Sequence, residues 1–248
     1  MHLSIMNRRV YSAMVCLIMT FSVGLSAQIN KSDWSSITPS SDSMNASNLD
    51  AIVASLDSRA IYSQLTDTKS IEVWLPNPQG EMALYQVNQT KTVDSSVEQY
   101  YEIRTYRGYS VDKPSILISC SITAEGLSAA VHAGEESYVI EPSLLDDTHL
   151  IYHTSQLMGS GHACSVITEN VKTSALNKVQ IPNAKKTYRL ALVASGEYSV
   201  QFGGSPINVT TVLNSLAAGV NRLNLIYLRD LGIELNLVST PALSLIHI

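Results

Sequence analysis

The fold class of this chain is decided by the stretch Tyr188-Arg-Leu-Ala-Leu-Val-Ala-Ser195 and the two elements that follow it. This apolar run has the length of a buried strand, and the pair Ser195-Gly196 predicts a turn at its end. Ser205-Pro206 predicts the start of a helix, because a capping residue followed by proline suits the first helical turn. Ile233-Glu-Leu-Asn-Leu-Val238 predicts a second strand. The order strand, helix, strand is typical of an α/β unit.

The predicted helix carries a single apolar stripe about five turns long. Arg229 falls in its last turn, where a cation suits the helix dipole, and Gly232 is placed to adopt the left-handed helix end. Two strands are too few to bury such a stripe, so residues 187–248 are not expected to fold alone. The stripe consists of residues at three- and four-residue steps, namely Val209, Val212, Leu213, Leu216, Val220, Leu223 and Tyr227.

Upstream, between residues 71 and 154, apolar side chains alternate with polar ones, which is the period of β-strands. Seven short strands at sandwich-like spacing, several of them separated by turn signals, predict a compact antiparallel β domain over residues 49–170. The whole chain is therefore predicted to be α+β. The predicted strands are Ile71–Leu75, Ala83–Val87, Tyr101–Tyr106, Ile116–Ile122, Leu127–His132, Tyr138–Glu141 and His149–His153.

The N-terminal residues 1–27 have the pattern of a secretory signal peptide, with Arg8 and Arg9 before an apolar core of roughly 13 residues. A membrane-spanning helix needs about 20 apolar residues, so we expect a secreted chain without a membrane anchor. Residues 28–48 are predicted to be disordered because they are rich in Ser, Asp and Asn. Asn48 then caps a predicted helix, interpreted either as a pro-segment arm or as a cover for a sheet edge. Its apolar face comprises Leu49, Ile52, Val53, Leu56 and Ala60.

Charge divides the chain into two parts. Residues 28–170 hold 7 Lys or Arg against 18 Asp or Glu, a net charge of −11, whereas residues 171–248 hold 7 against 3, a net charge of +4. Opposite net charges favour docking of the two parts and argue against a nucleic-acid partner. The polar residues 171–186 are interpreted as a linker. Its end, Lys185-Lys186, is either a site for a trypsin-like protease or part of an ordinary solvated linker.

A family resemblance covers most of the chain after the signal peptide. Tyr188-Arg-Leu-Ala-Leu-Val-Ala-Ser-Gly-Glu-Tyr-Ser199, Asn221-Arg-Leu-Asn-Leu-Ile-Tyr-Leu-Arg-Asp-Leu-Gly-Ile233 and Glu234-Leu-Asn-Leu-Val238 resemble the start of the catalytic domain of secreted bacterial reprolysin-like zinc metallopeptidases, which are metzincins. Trp74-Leu-Pro-Asn-Pro-Gln-Gly80 is similar to the start of the pro-region in that family. The resemblance implies a pro-domain docked on residues 187–242, the beginning of a catalytic domain.

This resemblance implies that the full-length protein is a zinc-dependent endopeptidase precursor that acts on protein or peptide substrates. The motif His-Glu-x-x-His-x-x-Gly-x-x-His is absent from the 248 residues, so no catalytic residue is assigned. This chain alone is expected to be inactive and to bind no zinc. Leu243-Ser-Leu-Ile-His-Ile248 resembles the translation of a sequencing adapter, which favours a truncated protein with a non-native tail. The alternative interpretation is a secreted β-sandwich binding or inhibitory module.

Two cysteines follow the signal peptide. Cys120 alternates with isoleucines and is predicted to be buried, while Cys164 lies in a Gly/Ser loop. Three interpretations of Cys164 remain open: a disulfide to Cys120, an inert thiol, or, as the resemblance implies, a zinc ligand that keeps the enzyme latent. His149 and His153 share one strand face some 13 Å apart, which favours exposed strand histidines over a metal pair.

Overall fold

The computed structural model describes residues 28–39, 50–65, 69–95, 98, 102–143, 147–157 and 185–238. They form a mixed α+β protein dominated by one curled sheet of ten strands. Among these residues, no helix has both the length and the hydropathy needed to cross a membrane. The strands are β1 (Gln28–Ile29), β2 (Trp34–Pro39), β3 (Ile52–Leu56), β4 (Ser70–Pro76), β5 (Met82–Thr90), β6 (Arg104–Ser110), β7 (Leu117–Ile122), β8 (Leu127–His132), β9 (Tyr138–Pro142), β10 (Thr148–His153), β11 (Lys186–Leu190) and β12 (Ile233–Leu237), and the helices are α1 (Ser58–Gln64), α2 (Gly196–Gly203) and α3 (Val209–Leu231).

The curled sheet has the strand order β1-β4-β5-β6-β7-β8-β9-β10-β3-β2. The seven strands predicted from alternation correspond to β4 to β10, and consecutive members pair as antiparallel neighbours. One of them is displaced, because β6 spans Arg104–Ser110 where Tyr101–Tyr106 was predicted. They form one continuous sheet, so the sandwich suggested by the spacing is replaced by a single sheet that bends round on itself. The prediction of an antiparallel, β-rich region is thereby confirmed at the level of its strands.

The two edges of the curled sheet meet through the N-terminal residues. β1 pairs in parallel with β4 at one edge, and β2 pairs with β3 at the other, although only Asn30–Asp33 separate them. The Trp34 indole Nε1 donates a hydrogen bond of 2.7 Å to the Trp74 carbonyl oxygen, and Lys31 Nζ lies 3.8 Å from the Trp74 ring centroid. The place where the two edges meet is here called the seam. Joining the edges in this way leaves fewer backbone groups unpaired there.

The interior of the curled sheet holds the main hydrophobic core. Every fully buried member of this core lies between Ile29 and Ile151, and α1 contributes Ile61 to it. The Tyr85 and Tyr138 hydroxyls meet at 2.9 Å, although their strands β5 and β9 lie four positions apart in the sheet. A contact between such distant strands requires the curl, and it shows that side chains fill the interior.

The residues 185–238, here called the C-terminal unit, contain the predicted strand, helix and strand. β11 and β12 pair in parallel, and α3 connects them together with α2. Asn208 caps α3 by accepting hydrogen bonds from the backbone N–H groups of Thr210 and Thr211. The helix ends as predicted, with Arg229 in its last turn and Gly232 in the left-handed conformation at φ 66°.

The predicted disorder of residues 28–48 is wrong for residues 28–39, which form β1 and β2. Ile29 and Trp34 are the apolar anchors of this segment, and both are buried. The predicted helix containing Ile52, Val53 and Leu56 is also wrong, because these residues form β3 between β10 and β2. Pairing on both sides, combined with the β-branched side chains, outweighs the helical spacing of the apolar residues.

Two boundaries in the C-terminal unit also differ from the prediction. β11 ends at Leu190, and Ser195 begins α2, a helix that the sequence did not predict, by accepting a hydrogen bond from the Tyr198 backbone N–H at 3.3 Å. Ser205-Pro206 lies in the turn between the helices, and α3 begins only at Val209. Serine is a favoured residue both in turns and at helix starts, so its position alone did not decide between them.

Candidate functional site

The outer face of the curled sheet forms the docking site for α3, centred on Asn221. The Asn221 Nδ2 group donates hydrogen bonds to the carbonyl oxygens of Tyr106 and Cys120 at 3.2 and 2.9 Å. Its Oδ1 accepts one from the Thr92 hydroxyl at 3.1 Å. Asn221 is 1 % exposed, so these bonds form away from water. A buried amide that satisfies both its donor and its acceptor in this way fixes the position of the helix on the sheet.

The buried face of α3 is rotated relative to the predicted apolar stripe. Val212, Leu213 and Val220 are buried as predicted, but Leu223 remains 42 % exposed. With about 100° of rotation about the helix axis per residue, the mean direction of the buried residues lies roughly 70° from the mean direction of the predicted stripe. Small alanines let the helix approach the sheet closely. Asn221 finds its polar partners on the sheet, whereas Asn224 exchanges hydrogen bonds with the Leu235 backbone of β12. The additional buried residues are Ala217, Ala218, Asn221 and Asn224.

An ion cluster links β12 to β6 beside the helix. The Glu234 carboxylate pairs with the Arg107 guanidinium, and the Lys185 ammonium lies 2.5 Å from its second oxygen. Both Arg107 and Glu234 have side chains that are only 9 % exposed. Burial alone would raise the pKa of Glu234, but the hydrogen bonds and charges of Lys185 and Arg107 outweigh it and lower the pKa. The cluster therefore joins the C-terminal unit to the sheet as a buried charge pair.

Polar contacts also hold the N-terminal end and the middle of α3. Glu125, in the turn between β7 and β8, accepts hydrogen bonds from Thr211 at 2.9 Å and Asn214 at 3.2 Å. A carboxylate is favoured at this position because the helix dipole is positive at its N-terminus. Further along, Arg222 donates to Glu141 Oε1 at 2.8 Å, and Nη2 of Arg222 donates to Ser128 at 2.9 Å.

The strand β12 also pairs with the segment that follows β5. The Leu237 N–H donates to the Thr92 carbonyl at 2.8 Å, and the Asp94 N–H donates to the Leu237 carbonyl at 3.2 Å. A second hydrophobic core lies beneath these bonds and combines side chains from both parts of the chain. Its buried members are Val93, Ile103, Leu213, Ala217, Val220 and Leu237. The C-terminal unit thus completes its core only by using residues of the curled sheet region.

The structure places the residues singled out from the sequence as follows. Cys120 is buried as predicted, and burial raises the pKa of its thiol to about 12, which makes it a poor nucleophile and ligand at neutral pH. Cys164 lies outside the described residues, as do the signal peptide and most of the linker. His149 corrects a prediction, because it is 1 % exposed instead of lying on the surface. His153 is half-buried, and its Nε2 lies 3.2 Å from the Gln79 amide.

The described part of the chain does not fit a zinc ion. Within it, no three His, Cys, Asp or Glu side chains lie close enough together to hold a metal. An open pocket of about 420 Å³ between α1 and β6 is lined by polar groups, among them Glu98, Glu102 and Arg104. The Arg104 side chain is already engaged there, because it stacks on Tyr62 and donates to the Tyr62 carbonyl at 2.7 Å. The docking interface is therefore the best-organised candidate site.

The residues of this interface were not assigned a role from the sequence. Asn221, Arg222 and Asn224 interrupt an otherwise apolar stretch of the helix, and this interruption is the one signal that pointed to them. Arg107, Glu125 and Glu234 carry no such signal, because charged residues in strands and turns are usually solvated. The partners that they contact across the interface lie more than 80 positions away in the chain, as in the pairs Arg107–Glu234 and Glu125–Thr211.

Removing the Asn221 amide is expected to destabilise the protein. Asn221→Ala leaves the Thr92 hydroxyl and the Tyr106 and Cys120 carbonyls without this buried partner, which costs about 2 kcal/mol of unfolding free energy. Urea unfolding of the full chain measures the change. Gln201→Ala, an amide truncation at an exposed position of α2, is the control and is expected to stay within about 0.5 kcal/mol of wild type. Equal effects for the two variants would contradict the role of Asn221.

The C-terminal unit is expected to remain unfolded when it is produced without the curled sheet. A peptide of residues 187–248 lacks Val93 and Ile103, which share its core, and the acceptors that satisfy Asn221. Circular dichroism and amide exchange of that peptide provide the measurement. A cooperative thermal transition with protected amides in residues 209–231 would show that the unit does not need the sheet.

Neither protein-family models nor the curated proteins contain a match to this chain.

Proposed function

We propose that the chain is the N-terminal part of a secreted zinc-dependent metalloendopeptidase precursor, with the curled sheet as its pro-domain. The C-terminal unit is then the start of the catalytic domain, and the reaction class of the whole protein is peptide-bond hydrolysis. The observation that carries the proposal is the docking of a parallel strand-helix-strand unit on a sheet that has a complete core of its own. This is the arrangement expected of a pro-domain bound to the domain that it controls.

The chemistry of the docking interface supports two parts that separate. Beside the second hydrophobic core, its contacts are hydrogen bonds and ion pairs, made by Asn221, Arg222, Glu125 and the Arg107–Glu234 pair. Interfaces between domains of one chain are more polar than domain cores, because each surface must remain soluble after separation. The net charges of −11 and +4 on the two parts add a long-range attraction between them.

The exposed apolar residues of the C-terminal unit support its assignment to a larger α/β domain. Among the described residues, β11 pairs with β12 alone, so its other edge is open to a further strand. Tyr188 and Val193 are 51 % and 69 % exposed, and Leu223 on α3 is also exposed. Additional strands beside β11 would bury these side chains, as the sheet of an α/β domain does.

The catalytic group of the proposed enzyme is assigned to residues outside those described here. Among the described residues, no three His, Cys, Asp or Glu side chains lie together as zinc ligands. Cys164, as a zinc ligand in the latent form, remains part of the proposal and rests on the resemblance alone. Cys120 does not compete for this role, because its thiol is buried inside the curled sheet.

Two measurements test the proposal. Sequencing the gene beyond codon 248 is expected to reveal His-Glu-x-x-His within about 100 codons, and the absence of this motif would reject the peptidase assignment. In the full-length precursor, Cys164→Ser is expected to give peptidase activity before any cleavage of the linker, while Cys120→Ala is expected to stay latent. Unchanged latency in Cys164→Ser would reject the thiol switch. It would not decide the peptidase assignment, which the search for His-Glu-x-x-His tests.

A further inference from the structure

His149 supports, from inside the sheet, the turn that holds the N-terminal end of α3. The imidazole lies against the Trp34 ring in an edge-on arrangement, with 5.5 Å between ring centroids. Its Nε2 accepts a hydrogen bond of 3.0 Å from the backbone N–H of Leu127, the first residue of β8. Accepting this bond requires that Nε2 carries no hydrogen, so the imidazole is neutral.

The turn above His149 has little room to move. The Thr123 hydroxyl accepts hydrogen bonds from the backbone N–H groups of Glu125 and Gly126 at 3.2 and 3.1 Å. An ideal Cβ on Gly126 would lie 2.6 Å from Pro142 Cβ, which shows how closely the turn packs on β9. Pro142 in turn pairs with His149 across the strands β9 and β10. The turn, Pro142 and His149 therefore form one tightly packed group.

The same turn carries Glu125, which contacts α3 on the outside of the sheet. Its carboxylate accepts hydrogen bonds from Asn208, the capping residue of the helix, at 3.4 Å, and from Thr211 at 2.9 Å. Only one residue separates Glu125 from Leu127, whose N–H is bound by His149. A displacement of Leu127 therefore moves the carboxylate that holds the helix end.

We infer that protonation of His149 releases this turn and thereby loosens the N-terminal half of α3 from the curled sheet. A proton on Nε2 would place two N–H groups opposite each other, so the bond to Leu127 is lost. The buried imidazolium would also need a new acceptor or water, and the packing of Gly126 on Pro142 leaves no space without moving the turn. The inference concerns docking alone and does not depend on the proposed peptidase function.

The charged groups near His149 among the described residues are bound to other partners, so its protonation state follows the pH of the solvent. Glu125 is directed to α3, Glu141 on β9 accepts hydrogen bonds from Tyr152 and Arg222, and Asp147 contributes its backbone. Nδ1 of His149 is buried without a hydrogen-bond partner among the described residues, and the effect of the Asp147 backbone is smaller than that of burial. Burial lowers the pKa of His149 to about 4, against the opposing effect of the Asp147 backbone. An opened site would return to about 6.5.

These values set the pH range and the size of the effect. The pKa of His149 is lower in the docked state than in the open state, so its full contribution to docking is present above pH 6.5. This contribution is lost as the pH falls towards 4. Opening at pH 5 is therefore expected to be about 30-fold more favourable than at pH 8.

Hydrogen exchange of the full chain tests the inference. After correction for the pH dependence of intrinsic exchange, the amides of residues 212–216 are expected to lose about 30-fold in protection between pH 8 and pH 5, while β4 and β5 keep theirs. In His149→Gln, whose side-chain oxygen accepts from Leu127 without titrating, the change is expected to vanish. The matched control His153→Gln is expected to respond like wild type.

Three outcomes would overturn the inference. A pH response that persists in His149→Gln would assign it to carboxylates such as Glu125. Equal loss of protection in β4 and β5 would indicate general acid unfolding. If His149→Gln does not fold, the imidazole signal of His149 in the NMR spectrum of the wild-type protein is followed against pH instead. The inference requires that its titration midpoint coincides with the midpoint of the opening of α3. Separate midpoints would reject the coupling.

Discussion

Gly108→Ala is expected to abolish folding of the curled sheet. An ideal Cβ at this position would lie 1.9 Å from the Gln86 carbonyl oxygen and 2.7 Å from Val87 Cα. Both atoms belong to the backbone of β5, so no side-chain rotation relieves the overlap. The two strands would have to separate, and with them the pairing on which the core depends. We expect a loss of at least about 4 kcal/mol in unfolding free energy, which is a large part of the stability of a typical domain.

The close approach at Gly108 has a geometric cause. A strand side chain normally stands perpendicular to the sheet and avoids the neighbouring backbone. Here the backbone of β5 occupies the space that a Cβ on residue 108 would need, so only a residue without a Cβ fits. Gly108 therefore permits the close approach of β5 and β6.

The amount of soluble protein and its thermal transition by circular dichroism measure the effect of Gly108→Ala. Gly219→Ala is the matched control, because a Cβ on Gly219 meets no atom within 4 Å apart from the adjoining turns of its own helix. Since alanine favours helices over glycine, this variant is expected to be more stable by about 0.5 to 1 kcal/mol. A Gly108→Ala protein that melts at the wild-type temperature would show that β5 and β6 tolerate separation at this point.

Glu234→Gln is expected to detach β12 and α3 from the sheet. The substitution leaves the Arg107 guanidinium buried without its charged partner, and two of its nitrogens, Nε and Nη1, already lack hydrogen-bond partners among the described residues. Breaking a buried pair by removing one member costs about 3 to 5 kcal/mol. Faster amide exchange throughout residues 209–238, with unchanged exchange in β4, is the expected result.

The pH dependence of this contact follows from the lowered pKa of Glu234. A carboxyl group with a depressed folded pKa stabilises the docked state above its ordinary pKa, and this contribution disappears as the pH falls through the lowered value. The wild-type contact therefore weakens in acid, whereas the Gln variant is already weak at neutral pH. Amide exchange of β12 at pH 7 and in acid compares the two proteins.

The double variant Arg107→Met/Glu234→Leu provides the control for Glu234→Gln. Apolar side chains of similar volume often replace a buried ion pair without loss, so most of the docking is expected to return. Wild-type exchange rates in Glu234→Gln would instead show that the Arg107–Glu234 pair does not contribute to docking. A double variant as weak as the single one would show that the charges themselves are required.

Much of the sheet was predictable because its strands have one face in the core and the other outside it. Ile118, Cys120 and Ile122 alternate with serines along β7, and the structure buries these three residues in the main core. Such alternation is a property of neighbouring residues and needs no knowledge of the partner strand. The end of α3 at Gly232 was predictable for the same reason, since the left-handed helix end depends on local backbone sterics.

The elements at the seam were not predictable from local patterns. Ile52, Val53 and Leu56 have helical spacing, yet they form a strand because β10 and β2 offer backbone partners on both sides. His149 was expected to be exposed as a polar strand residue, but the Trp34 ring packs against it from β2. In both cases the deciding contacts come from segments distant in the chain.

The sequence by itself therefore determined the α+β class, seven strands of the sheet and the strand-helix-strand order of the C-terminal unit. These features depend on interactions between residues a few positions apart. The composition of the sequence and the spacing of its apolar residues indicate such interactions. Only the tertiary structure decided that the sheet curls, that α3 docks through Asn221, and that Arg107 pairs with Glu234. The curl depends on contacts between strands distant in the chain, such as Tyr85 with Tyr138, and the other two features depend on the burial of polar groups. Burial is favourable only when a distant partner supplies the matching hydrogen bond or charge, and a linear pattern does not specify that partner.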